Sequence, residues 1–386
     1  MKKLGLLVLS SAAMFAACTS ETEVQNVSPK DAISFNTTLK GVTRTVYTNE
    51  TFDRFKVVAL SSTGIGGFTD DVVKSSTSKW ATTDIQLWPT DGAQLSFFAY
   101  APTDLIATED ISTTITKDSH KLTGFYPKEL LADQQDIVTA FNTGTKADNP
   151  NGVDLKFRHA LTQIEILATN EDVARYTVDV LGSKLVRVNS KADMTFPTNS
   201  NDAASWSTAT DPKQYGDKLP AAITLNATPQ RVMTDGNNWM MLPQQLEAWN
   251  LKPTKTENNE DNNGAYIAVL LRITELKTGK YIYPEKKEGD VTARFAYAAI
   301  PVSTNWKLGH KYTYTLKFFG AGGGAGFVAG DLKNPNLASD PQVDTKPMGE
   351  LTESKIGQPI IDGVINFNVQ IEEWQDGTTT TETIDN

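Results

Sequence analysis

Hydrophobic and polar residues alternate in short runs along most of this chain, which is the period-2 pattern of half-buried β-strands. The first run places Ile33, Phe35, Thr37 and Leu39 on one face and polar residues on the other. Later runs follow at short intervals and are separated by Gly-rich or Asp-Gly turns. In the first half of the chain these runs cover residues 55–60, 84–88, 94–100, 111–116 and 137–141, with a longer run at 153–168.

A second series of runs begins near Tyr176. It covers residues 177–180, 184–188, 222–225, 230–232, 239–242, 266–273, 281–283, 295–300 and 311–319. A helical period is not sustained anywhere, and the best helix candidate is a short segment near Leu130. Regularly spaced short strands with turn signals predict an all-β protein with two β-sandwiches in tandem.

The end of the chain has a different composition. Residues 320–363 are rich in Gly, Pro, Asn and Asp and are predicted to form a long irregular connection, for which the pattern indicates no role. One more strand follows. Its apolar positions are Ile365, Phe367, Val369 and Ile371, and Trp374 comes next, out of phase.

The first and last strands are similar to each other. Residues 33–39 and 365–371 are identical at three of seven positions, and their inward and outward faces agree throughout. Any two amphipathic strands share such alternation, so coincidence is one interpretation. The other is that both strands fill the same groove, one after the other, by β-strand addition.

An isolated arginine provides a way to free the first strand. Arg44 lies in a loop of small residues and is followed by Thr45, and loops of this kind are preferred sites of proteolysis. Cleavage between them would release the strand that carries Ile33 to Leu39. The 44 residues of the late connection could extend up to about 145 Å, so that the last strand can reach a neighbouring copy.

The N-terminus is predicted to be an export signal. Lys2 and Lys3 precede an apolar stretch that is too short to span a bilayer. The stretch ends in small residues before Cys18, and residues 15–18 resemble the lipobox of bacterial lipoproteins. This resemblance implies cleavage before Cys18 and its lipidation, which would anchor the chain to a membrane. Ordinary cleavage after Ala17, with Cys18 as a free thiol, is the alternative.

These features divide the precursor into five parts. They are a signal peptide (1–17), a propeptide with a tether and the first strand (18–44), an N-terminal sandwich (45–170), a C-terminal sandwich with the long connection (171–363), and a donor strand with its tail (364–386). No other segment approaches the apolar length of a membrane span.

Composition and charge exclude several classes of protein. A single cysteine among 386 residues excludes a disulfide framework and Cys-based zinc sites. A net charge of −10 argues against nucleic acid as the main partner. Catalytic motifs such as Gly-x-Ser-x-Gly and His-Glu-x-x-His are missing, so we expect no enzyme, cofactor or metal site. We expect His159 to be structural, the Asn-rich loop 257–263 to be solvated rather than calcium-binding, and most tryptophans to be core residues.

Taken together, the motifs resemble those of the fimbrillins, the major pilins of Bacteroides-type bacteria. The resemblance rests on the lipobox ending at Cys18, Thr43-Arg44, Trp88-Pro89, 97–102, 155–161, 241–244, 306–314 and the final strand ending in Trp374. It implies two transthyretin-like sandwiches, export to the outer membrane as a lipoprotein, cleavage at Arg44 by a trypsin-like or gingipain-like protease, and polymerisation by strand exchange.

The preferred hypothesis is therefore a fimbrial stalk subunit that supports adhesion. Its expected partners are other copies or related pilins, anchor and tip subunits, an arginine-specific protease, and a surface ligand on host or bacterial cells. Two alternatives stay open at this point. One is a tip or accessory adhesin, and the other is a non-polymerising surface lipoprotein that binds glycans through exposed tryptophans.

Overall fold

The computed structural model describes residues 31–39, 47, 51–105, 111–234, 236, 238–258, 260, 262–285, 295–329, 355–373 and 382–385. Nearly all regular structure in these ranges is β-strand, which confirms the all-β prediction. The helical exceptions are a 3₁₀ turn, Leu131–Asp133, and one turn of α-helix, α1, Lys255–Asn258. None of the helices in these ranges is long and apolar enough to cross a membrane.

The strands of the first half are β1 (Ser34–Leu39), β2 (Arg54–Ser61), β3 (Phe68–Lys74), β4 (Trp80–Thr82), β5 (Leu95–Ala101), β6 (Ser112–Ile115), β7 (His120–Phe125), β8 (Val138–Gly144), β9 (Val153–His159), β10 (Thr162–Asn170) and β11 (Tyr176–Thr195). Those of the second half are β12 (Ser205–Trp206), β13 (Thr210–Thr224), β14 (Gln230–Arg231), β15 (Trp239–Met241), β16 (Gln244–Gln245), β17 (Tyr266–Glu275), β18 (Tyr281–Tyr283), β19 (Ala296–Pro301), β20 (Asn305–Trp306), β21 (His310–Phe318), β22 (Phe327–Val328), β23 (Asn366–Glu373) and β24 (Glu382–Asp385).

Seven strands of the first half form a sheet that closes on itself, in the order β1-β4-β3-β2-β5-β8-β9. The strand that closes it is β1, which pairs antiparallel with β4 and parallel with β9. Alternate residues of these strands point inward and form an aromatic-rich core. Its aromatic members include Phe35, Phe55, Trp80, Phe97 and Phe157.

Two further sheets pack face to face and contain strands from both halves of the chain. One has the order β14-β10-β21-β23-β24, with β15 also on β10. The other has the order β22-β19-β17-β11-β7-β6, with β12 and β13 on β11 and β18 on β17. Residues of both sheets share one core, including Ile164 and Tyr312 from the first and Val178 and Ile267 from the second. The remaining pair is β16 with β20.

A third apolar cluster joins the closed sheet to these layers. Phe98, Tyr100 and Phe141 lie on the outer face of the closed sheet and are buried. They share a cluster with Leu122 of β7 and Met194 of β11. Both faces of β5 are therefore covered, which explains why its burial does not alternate.

Several local predictions need correction. The run at 84–88 is not a strand, because it carries only an isolated bridge from Leu87 to Ala32 and is followed by Pro89. The run at 153–168 is two strands, since the chain leaves the closed sheet after β9 and enters the six-stranded sheet as β10. The runs at 177–180 and 184–188 are one strand, β11, with a bulge between Val180 and Gly182. The helix predicted near Leu130 is the 3₁₀ turn.

The domain limits at 170 and 363 stay predictions. The pairing of β10 with β21 places residues 162–170 in a sheet with strands of the second half. In the same way, β7, which precedes residue 170, pairs with β11, which follows it.

Candidate functional site

The first strand, β1, is built into the closed sheet. Five of its residues, from Phe35 to Leu39, pair in parallel with Val153 to Phe157 of β9. Ile33, Phe35 and Leu39 are buried, and Thr37 is half-buried. The four inward positions predicted for this strand therefore point into the core.

The side chain of Phe35 is the centre of this packing. Its ring makes edge-to-face contacts with Phe55 at 5.9 Å and with Phe97 at 5.7 Å between centroids. Such pairs stabilise a core by about 0.5–1.5 kcal/mol beyond their buried area. Removal of β1 would therefore expose an aromatic groove between β9 and β4.

The outward face of β1 carries a polar contact that depends on register. The Asn36 side-chain amide donates to Asp154 Oδ1 at 3.0 Å and to the Asn151 carbonyl at 3.3 Å. Asp154 is the residue directly opposite Asn36 in the parallel pair. A strand shifted by one residue would lose this contact and turn its apolar side chains outward.

The last apolar run forms β23, which lies in the six-stranded sheet. It pairs antiparallel with β21 over eight positions, and β24 covers its other edge. Ile365, Phe367 and Val369 are buried, and the partly buried Ile371 packs on the same core. The ring of Phe367 lies 6.0 Å from that of Tyr314. All four inward positions of the predicted strand thus meet the core of their own chain.

The Gly-rich stretch holds the chain that leads into β23. The backbone N–H of Gly324 donates to the Val364 carbonyl, and that of Gly326 donates to the Gly363 carbonyl, each at 2.6 Å. A Cβ on Gly324 would lie 1.9 Å from the Ile361 carbonyl oxygen. This close approach of two backbones requires glycine at position 324. Sequence reasoning gave no role to this stretch, although a run of glycines is a signal for such an approach.

A half-buried carboxylate on β10 links that strand to its neighbour β21. Glu165 of β10 accepts from Arg231 Nη1 at 2.5 Å and from Lys311 Nζ of β21 at 2.7 Å. Burial alone would raise the pKa of Glu165, but the hydrogen bonds and charges of Lys311 and Arg231 together hold it below its ordinary value.

One end of the closed sheet carries a buried carboxylate. Asp136 lies just before β8, and its Oδ2 is 2.7 Å from His159 Nδ1 at the end of β9. Both residues are almost completely buried. The pair connects the start of β8 with the end of β9. His159 is thus hydrogen-bonded at the sheet end, and its structural role stays a prediction. Sequence reasoning missed Asp136, because 23 residues separate the partners.

The six tryptophans within the described ranges do not form an exposed platform. Trp80, Trp88, Trp239, Trp249 and Trp306 are buried. Trp206 is half-buried and donates from Nε1 to the Ala160 carbonyl at 2.6 Å. The described tryptophan rings therefore do not provide the exposed surface that the glycan-binding alternative requires.

Some predicted site residues lie outside the described ranges. They are the lipidation site Cys18, the cleavage pair Arg44 and Thr45, and the end of the last strand, Trp374. Across the ranges that are described, no three His, Cys, Asp or Glu side chains are grouped so that they could hold a metal ion. In the loop at 257–263, Asn258 instead bonds the backbone of Lys252 and Ile356.

Comparison with known proteins identifies relatives. The family model described as fimbrillin-like matches residues 42–326. The chain is 25% identical over 264 residues to fimbrium subunit Fim1C of Phocaeicola vulgatus, covering 62% of this chain and 68% of that protein. The fold is similar to a fimbrial protein crystal structure from Bacteroides vulgatus, with a TM-score of 0.50, 16% identity and coverage of 75% of this chain and 95% of that one. A cell adhesion protein structure from Bacteroides uniformis has a TM-score of 0.40 at 16% identity, covering 75% and 92%.

Proposed function

We propose that this chain, which belongs to the fimbrillin-like family, is a structural pilin subunit of a surface fimbria that supports adhesion. The chain is exported to the outer membrane as a lipoprotein on Cys18 and is cleaved after Arg44 by an arginine-specific protease. It then polymerises by strand exchange, in which β23 of one copy enters the closed sheet of another copy in the place of β1. Related pilins, anchor and tip subunits and a surface ligand complete its partners. In this proposal the closed sheet and the two-layer half are the two transthyretin-like domains.

The observation that carries the proposal is the match between β1 and β23. Both present four inward side chains at alternate positions, and in both strands these side chains meet a core. Phe367 corresponds to Phe35, so an aromatic ring would again meet Phe55 and Phe97 in the groove. Val369 corresponds to Thr37 and would bury more apolar surface there, which favours the incoming strand.

The outward face supports the same register. Asn368 of β23 corresponds to Asn36, and Asp154 on β9 would again accept a hydrogen bond from a side-chain amide at this position. Any two amphipathic strands share inward alternation by chance. An asparagine at the corresponding outward position is a further similarity that alternation alone does not require. The incoming strand therefore has both an apolar face to bury and a polar side chain that fixes its register along β9.

Arg44 lies between the end of β1 at Leu39 and the next described residue, Tyr47. Replacement of Arg44 by Ala should leave a monomeric precursor that retains β1, because no trypsin-like enzyme would cut there. Electron microscopy and mass spectrometry of cells that carry this variant test the step. Normal filaments built from an uncut chain would contradict the proposal.

Disulfide cross-linking tests the exchange itself. In the proposed register, Asp154→Cys of one copy and Asn368→Cys of the next lie opposite each other, as Asp154 and Asn36 do now. The native Cys18 leaves with the released segment and causes no background. We expect oxidised filaments of the double variant to run as covalent ladders on non-reducing gels.

A matched control moves the second cysteine along the same outward face. The pair Asp154→Cys with Glu372→Cys is displaced by four residues and should give monomers on the same gels. Equal ladders from both pairs would refute the register. If filaments of the Asp154→Cys, Asn368→Cys variant form but give no ladder, the groove is not the acceptor.

A further inference from the structure

A loop that follows β4, here called the entry loop (residues 83–88), binds the chain where it enters the closed sheet. The backbone N–H of Ile33 donates to the Gln86 carbonyl at 2.8 Å, and that of Trp88 donates to the Asp31 carbonyl at 3.1 Å. These two bonds continue the antiparallel pairing of β1 with β4 to the residues that precede β1. The entry loop therefore holds the chain on the edge of the groove opposite β9.

The pairing of this segment is interrupted by a large bulge. Ala32 lies opposite Leu87, whereas Ser34 lies opposite Ala81. The partner thus moves by six residues while the chain that enters the sheet advances by two. A bulge of this length breaks the regular pairing, so the shape of the entry loop depends on contacts from elsewhere in the closed sheet.

One carboxylate supplies these contacts. Asp70 of β3 is buried, and its Oδ1 accepts a hydrogen bond from the Thr83 hydroxyl. Its Oδ2 accepts from the backbone N–H of Asp84 at 3.1 Å and from the Gln86 side-chain amide at 3.0 Å. Burial would raise the pKa of Asp70, but these hydrogen bonds hold it below its ordinary value. An ionised carboxylate therefore joins three consecutive positions of the bulge, except Ile85, to β3.

The incoming strand of the proposed filament carries a segment that fits the entry loop. In the register proposed above, residues 363–365 take the place of residues 31–33. The pairing uses main-chain groups, which do not depend on the side chains of the segment. Gly363 has a φ of 80° in its own chain, but glycine adopts extended backbone as readily. Val364 is 55% exposed in its own chain, so its transfer disrupts little packing.

From this geometry we infer that the entry loop, held in shape by Asp70, is a second docking site for the incoming strand and binds residues 363–365 of another copy of this chain. The inference rests on the proposed strand exchange. In the filament the Trp88 N–H donates to the carbonyl of residue 363, and the Gln86 carbonyl accepts from the N–H of residue 365. Asp70 contacts neither residue of the incoming strand. It is a positioning residue that acts through the loop.

Disulfide cross-linking of filaments tests the pairing. Ala32 and Leu87 face each other between two hydrogen bonds that flank them. The Cα atoms of such a pair are about 4.5 Å apart, which is within the range for disulfides. Leu87→Cys with Val364→Cys, the entry-loop pair, should therefore give covalent ladders in oxidised filaments. Both side chains are more than half exposed, so neither change should affect folding. Ile85→Cys with Val364→Cys is the matched control and should give monomers, because the equally exposed Ile85 lies in the bulge.

Replacement of Asp70 by Asn tests the positioning role. An amide accepts fewer hydrogen bonds than a carboxylate and sets its own N–H groups against the donors of the loop. The entry-loop ladder should form at least about tenfold more slowly, because hydrogen bonds to a charged group are lost. The ladder of Asp154→Cys with Asn368→Cys, on the other edge of the groove, should form at an unchanged rate. Asp71→Asn removes the same charge from a neighbouring carboxylate that binds Lys56, and it should slow neither ladder.

The outcomes separate this inference from the proposed function. Filaments that give the Asp154–Asn368 ladder but no entry-loop ladder would overturn the inference and leave strand exchange intact. Equal slowing of both ladders by Asp70→Asn would overturn the positioning role, since the whole groove would then be weakened. If Asp70→Asn chains fail to assemble, Thr83→Val removes one donor from an exposed residue, and an unchanged entry-loop ladder then overturns that role. Filaments without either ladder would overturn both the inference and the exchange.

Discussion

Replacement of Phe35 by Ala distinguishes the precursor from the filament. Phe35 is 3% exposed and packs edge-to-face on Phe55 and Phe97. Truncation of such a buried ring costs about 3–5 kcal/mol of folding free energy, because both apolar burial and ring contacts are lost. At 1.4 kcal/mol per factor of ten, β1 should be held at least about a hundredfold less tightly. In the proposed filament, however, residue 35 has left with the propeptide.

We therefore expect Phe35→Ala to destabilise only the precursor. Urea unfolding of the uncut chain should show the loss, and Ser34→Ala, on the exposed face of the same strand, should change stability by no more than about 0.5 kcal/mol. Filaments assembled from Phe35→Ala chains should dissociate on heating at the wild-type temperature. Phe367→Ala, by contrast, should lower that temperature, since this ring fills the groove in the filament. Equal weakening of precursor and filament by Phe35→Ala would refute strand exchange, because residue 35 would then still be in place.

Three further predictions concern β23 and the residues that support its sheet. Gly324→Ala should lower the melting temperature of the precursor, because its Cβ would collide with the Ile361 carbonyl; Gly323→Ala, whose nearest atoms are 3.3 Å away, should have a smaller effect. Asn368→Ala should allow filaments but weaken them and broaden their cross-linking register, which heat dissociation and the cysteine ladder measure. Glu165 has a lowered pKa in the folded chain, so its stabilisation is complete above its unfolded pKa of about 4.3 and is lost as pH falls through the folded value. Glu165→Gln should flatten the acid side of a melting-temperature profile; an unchanged acid limb would contradict this assignment.

Strands with clean alternation were predictable from the sequence. The first and last runs appear as β1 and β23 within two residues, because one face of each meets a core and the other is polar. The run at 84–88 failed since it contains a buried Trp88 but an exposed Leu87, and a pattern does not distinguish a strand from a loop anchored by one large residue. Short strands such as β4 offer too few residues for a period to be visible.

Contacts between distant segments were beyond sequence reasoning. His159 was predicted to be a hydrogen-bonded structural residue, but its partner Asp136 depends on how β8 and β9 meet. The role of Gly324 depends likewise on a strand entry 40 residues later in the chain, at Val364. In both cases the residue type indicated a structural role, but the sequence did not identify the partner. The partner depends on topology, since pairing across sheets is not set by the local pattern.

The parallel pairing of β1 with β9 also fixes a direction. A strand that replaces β1 in the same register must run the same way along β9, so every joint in the proposed filament has the same sense. Donor and acceptor are different surfaces, and such head-to-tail contacts form open polymers rather than closed dimers. The resulting fibre is polar, with an unfilled groove at one end and a free donor strand at the other. Those two ends are chemically distinct places for a cap and for a base.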